Sequence, residues 1–113
     1  MNVTVERVEN EATLKITAPA AVVDAGFKKA VTKIANSVNI PGFRKGKAPR
    51  AIIEMHYGKD AVKQEAFEEV SNKLYSEALE QEKLIPVEDP KLESSTFEEG
   101  KDMEMTIKVT VKP

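Results

Sequence analysis

The sequence contains no cysteine and no tryptophan in its 113 residues. Without thiols it can form no disulfide, no cysteine nucleophile and no zinc finger, which fits a reducing compartment. Histidine is nearly absent, with His56 alone, and Tyr57 and Tyr75 are the only tyrosines. No stretch approaches the roughly 18 consecutive apolar residues of a membrane span. The start Met1-Asn2-Val3-Thr4 also lacks the basic segment and apolar run of a secretory leader. The expectation is a cytoplasmic protein with no membrane partner. An excess of positive charge is missing too: the formal net charge is -2 and the pI about 5.5. A generally basic nucleic-acid or membrane-surface protein is thereby excluded, and any anionic partner must be met by a local patch.

What is present suffices for one domain. The chain is 41% hydrophobic and 32% charged, enough for a modest core but not for two domains. Val3, Val5 and Val8, then Leu14 and Ile16, alternate with polar residues on either side of Glu9-Asn10-Glu11, predicting an antiparallel hairpin. From Pro19 the period lengthens, and Val23, Phe27, Ala30, Val31, Ile34 and Val38 recur at threes and fours, as on one face of a helix. That helix must end before Pro41. Pro49 opens a short helix carrying Ile52, Ile53 and Tyr57, which stops at Gly58. A longer helix follows, with an apolar stripe of Val62, Ala66, Phe67, Val70, Leu74, Ala78 and Leu79. Leu92 to Phe97 and Met103 to Val111 then predict a second hairpin turning at Glu99-Gly100, its last strand alternating strictly. The fold class is therefore α+β: an antiparallel sheet from the N-terminal and C-terminal hairpins, with the helices between them packed on one side. A strand running nearly to Pro113 is the expected look of a domain that continues into a longer chain, with a natural C-terminus as the alternative.

Catalytic constellations are hard to assemble. A nucleophile and base pair would have to use His56, whose place in a short helix beside Tyr57 reads as structural. The adjacent carboxylates Glu68-Glu69 and Glu98-Glu99 diverge from one another on a helix or strand and read as solvated surface. Gly42 to Lys47 is one residue too short for a phosphate-binding Gly-rich loop and is followed by Ala48, where that motif needs Ser or Thr. Met103 and Met105 share the register of the core valines, so core packing outweighs an adaptable binding surface for them. No cofactor and no metal site is expected.

One segment stands apart. "PGFRKGKAPR", Pro41 to Arg50, crowds Arg44, Lys45, Lys47 and Arg50 between glycines and prolines that prevent regular structure, with Phe43 in their midst. Exposed loops collect Gly, Pro and Lys simply because they are exposed. Here, however, the cations concentrate in a net acidic chain. Phe43 continues neither helical stripe, and an aromatic beside an arginine is a pairing enriched at interface centres. The segment reads as an exposed docking tip between the first two helices.

The string Gly42-Phe43-Arg44-Lys45-Gly46-Lys47-Ala48-Pro49 resembles the ribosome-docking signature of the bacterial trigger factor family, chaperones that wait at the ribosomal exit tunnel. The resemblance spans the whole chain, both hairpins and all three helices. It implies that residues 1–113 are a single ribosome-binding domain, a fragment of a longer multidomain chaperone. It further implies contact with a large-subunit ribosomal protein at the tunnel exit and adjacent ribosomal RNA. Phe43, Arg44 and Lys45 would then be the principal contacts. Lys47 and Arg50 are assigned to electrostatic steering, Gly42 and Gly46 to turn conformation, and Pro49 to the close of the motif. Nascent polypeptides are implied as partners. The family's prolyl-isomerase domain lies outside these residues, so no enzymatic activity is expected. An independent RNA-binding module using the same cations is the alternative, and an enzyme a third. A weak homodimer is a separate expectation, motivated by a strand edge near Val111.

Overall fold

Two alternating segments from opposite ends of the chain meet at the centre of one sheet. The computed structural model describes residues 1–113 in the order β1 (Asn2–Val8), β2 (Glu11–Ala18), α1 (Ala20–Ser37), α2 (Arg50–Tyr57), α3 (Lys59–Gln81), β3 (Lys91–Thr96) and β4 (Met103–Thr110). The strands pair antiparallel in the order β1-β2-β4-β3. Along β2 and β4, Ala12 faces Val109, Leu14 faces Ile107, Ile16 faces Met105 and Ala18 faces Met103, and all eight are buried. The opposite face carries Thr13, Lys15, Thr17, Glu104, Thr106 and Lys108. A period of two thus separates a core face from a solvated one, and the expected α+β architecture is what the chain forms.

The helices cover the apolar face. Val23, Phe27, Ala30 and Ala35 from α1, Ile53 from α2, and Val62, Ala66, Val70, Leu74 and Ala78 from α3 join the sheet residues in one cluster of 21 buried side chains. Gly26 sets the approach of α1 to α3: a Cβ there would stand 2.3 Å from Val70 Cγ2. Only a residue without a side chain lets the helices pack this closely. Around Phe97, just after β3, the rings form a second layer of contact. Phe27 stacks on Phe97 with centroids 5.5 Å apart, and Phe67 meets it edge-on at 5.3 Å, both favourable aromatic geometries.

Three sequence expectations are corrected. Val8 is 74% exposed; it lies out of phase with Val3 and Val5, which themselves are only half-buried because β1 is an edge strand. Tyr57 is also exposed, since the last turn of α2 leaves the core after Ile53. Val111 is buried, pairs with Pro86 and donates its N–H to the Asn10 carbonyl at 2.8 Å. The strand leading to it lies inside the sheet, so the edges available for pairing are β1 and β3, not the Val111 region. Met103 and Met105 are core residues, as their register requires.

Candidate functional site

The segment between α1 and α2 is built from two tight turns. Phe43 N donates to the Ile40 carbonyl at 3.1 Å, and Lys47 N to the Arg44 carbonyl at 2.9 Å. In each turn the third residue is a glycine with positive φ, +88° at Gly42 and +85° at Gly46, and Pro41 occupies the second position of the first turn. This is the residue pattern of type II turns, in which the third position disfavours a Cβ. The conformational role expected of both glycines holds.

Three attachments hold the double turn against the domain. Ile40, at its entrance, is buried in the core. Midway, Gly46 N donates to the Ala35 carbonyl at 2.8 Å, satisfying one of the carbonyls that the end of α1 leaves open. Asn36 enforces the closeness: its Nδ2 donates to the Thr32 carbonyl at 3.0 Å, and its Oδ1 stands 2.5 Å from where a Gly46 Cβ would be. Ala48 packs half-buried on the core near the exit. Pro49 then takes the N-cap position of α2, one residue before the helix proper, and its carbonyl accepts from Ile52 N at 3.0 Å and Ile53 N at 3.1 Å.

What remains outward is Phe43, 41% exposed, with Arg44, Lys45 and Lys47, all exposed. None of these three cations takes part in the ion pairs formed within the chain. They stand beyond the C-terminal end of α1, where the helix dipole favours positive charge. Clefts of about 470 Å³ between α3 and β3 and about 360 Å³ between α1 and α3 are lined by other residues.

Arg50 behaves differently from the cations with which sequence grouped it. It is the first residue of α2, and its guanidinium grips Glu99 through both terminal nitrogens, at 2.6 and 2.7 Å, while Nε donates to Glu54 at 2.9 Å. Its plane lies over the Phe27 ring at 5.4 Å. The Glu99 hydrogen bonds raise the Arg50 pKa further, and the same bonds hold the Glu99 carboxyl below its ordinary range. The charge to which sequence assigned a steering role is met by two carboxylates of the domain itself. Its only sequence signal was a carboxylate four residues on, Glu54, because Glu99 is distant in the chain. His56 is exposed on α2, as is Met55, and no group of His, Asp and Glu is gathered closely enough to hold a metal ion.

The family model for the bacterial trigger factor protein matches residues 1–113. The chain belongs to the bacterial trigger factor family. Curated relatives agree: it is 41% identical to trigger factor of Staphylococcus carnosus and 40% identical to trigger factor 1 of Desulfitobacterium hafniense, each over all of this chain. It spans 26% and 27% of their lengths, about a quarter of a trigger factor. Among solved structures, one described as "Promiscuous Substrate Recognition in Folding and Assembly Activities of the Trigger Factor Chaperone" superposes with a TM-score of 0.79 at 24% identity. It is matched over the whole of this chain and 27% of its own, a likeness of fold.

Proposed function

We propose that this domain docks a trigger factor chaperone onto the large ribosomal subunit beside the peptide exit tunnel, with the Pro41 to Pro49 double turn as the docking element. The supporting observation is the arrangement of the loop: an exposed ring and three unpaired cations on a backbone fixed at its entrance, middle and exit. A pre-organised tip loses little conformational freedom on binding. Phe43 fills an apolar pocket on a ribosomal protein, Arg44 forks onto a carboxylate, and Lys45 meets protein carboxylate or RNA phosphate. Lys47 adds long-range attraction. Gly42 and Gly46 shape the turns, and Pro49 starts α2 behind them. Held there in the cytoplasm, the chaperone meets nascent polypeptides as they emerge, and the domain itself performs no catalysis.

Co-sedimentation with vacant bacterial ribosomes tests the reading. The parent domain pellets with ribosomes, and the Phe43→Ala, Arg44→Ala, Lys45→Ala triple variant stays in the supernatant with its fold intact. A generic RNA-binding module would instead tolerate Phe43→Ala alone and lose affinity mainly with salt.

A further inference from the structure

The clamp around Arg50 joins parts of the molecule that the docking reading leaves separate. Besides Glu99, the β3–β4 hairpin tip is fastened to both long helices. Gly100 N donates to Asp24 Oδ1 at 2.8 Å, and Asp102 Oδ1 accepts from Ala20 N at 2.9 Å, occupying a donor that the start of α1 leaves open. Lys63 of α3 pairs with Glu98 at 3.0 Å, and Phe97 is wedged between Phe27 and Phe67. The tip is thus a fixed platform. By contrast α2, which receives the docking loop, buries only Ile53 fully. Its first residue needs another hold, and Arg50 supplies it through five-donor fork geometry that a lysine cannot reproduce.

We infer that Arg50 is a positioning residue: by bridging Glu99 on the hairpin tip to Glu54 on α2, it fixes the exit of the docking loop and with it the direction of Phe43 and Arg44. This inference rests on the docking proposal for its consequence, but the clamp itself can be read without a ribosome. It gives Glu99 an unexpected sign. If Arg50 contacted ribosomal phosphate, removing the acidic Glu99 would free the guanidinium and tighten binding. If Arg50 positions the loop, removing Glu99 loosens the loop and weakens binding.

The experiment compares the parent chain with Arg50→Lys and Glu99→Gln in two assays. Amide hydrogen exchange reads the N–H groups of Phe43, Gly46 and Lys47, whose bonds define the double turn. Titration with vacant bacterial ribosomes over a range of salt reads docking. Both variants should raise exchange at Gly46 and Lys47 by about threefold to fivefold, the scale of a partly exposed ion pair. Both should weaken ribosome binding by a similar factor, with the slope of log affinity against log salt unchanged, because no phosphate contact is lost. Unchanged exchange in both variants overturns the inference, and so does tighter binding by Glu99→Gln. Should the parent chain fail to bind ribosomes, the docking proposal falls, while exchange still decides the clamp.

Discussion

At Gly26 and at Phe43, single side chains decide opposite things. An alanine at Gly26 gains up to about 1 kcal/mol of helix propensity, but its Cβ would stand 2.3 Å from Val70 Cγ2, and overpacking of this kind costs about 1–3 kcal/mol. Gly26→Ala is expected to lower stability in urea unfolding, and Val70→Ala in the same chain to recover part of the loss; a stabilised Gly26→Ala would refute the close approach. Phe43→Ala should do the reverse. Its ring is outside the core cluster, so stability should stay within about 0.5 kcal/mol, while ribosome affinity falls by about 30-fold, the loss of an interface anchor. Sequence disclosed that Phe43 lies outside the core, because an aromatic flanked by Gly and Arg fits neither helical stripe. It did not disclose Gly26, whose requirement comes from Val70 on another helix and leaves no local pattern.

Helices and strands were legible where one period ran unbroken. The strict alternation of Met103 to Val111 and the three-four spacing of Val23 to Ile34 specify elements by themselves. Val8 and Tyr57 misled because each lies at the end of an element, where the chain leaves the core and period no longer implies burial. The site was legible as composition but not as connection. Arg50 looked like its basic neighbours until a turn 49 residues away placed Glu99 against it. The clamp also predicts a pH dependence. Glu99 has a lowered folded pKa, so its contribution is present above the unfolded value and lost as pH falls through the folded one. Arg50, with its pKa raised, remains charged throughout. Thermal unfolding across the acid range should therefore show that Glu99→Gln flattens the low-pH decline of stability, by less than about 1 kcal/mol for so exposed a pair. An unaltered acid limb would contradict the coupling.

On the scale of the whole molecule, a minority of the cations are paired within the domain and the rest are left exposed. The domain is net acidic, and Lys33, Arg50, Lys63 and Lys108 are spent on internal carboxylates. Arg44, Lys45 and Lys47 join ten other cations outside these ion pairs and differ from them in crowding into one loop of a domain 56 Å long and 26 by 20 Å across. Docking through so few cations and one ring should show a shallow salt dependence, with each lost phosphate contact lowering the slope by about 1. A slope as steep as that of proteins making 6–10 phosphate contacts would instead favour the generic RNA binder. The most direct measurement is co-sedimentation of this chain with vacant bacterial ribosomes at near-physiological salt, beside its Phe43→Ala, Arg44→Ala, Lys45→Ala variant. Binding by the parent and none by the equally folded variant is the predicted result. Equal pelleting of the two would contradict the assignment of this loop as the docking element.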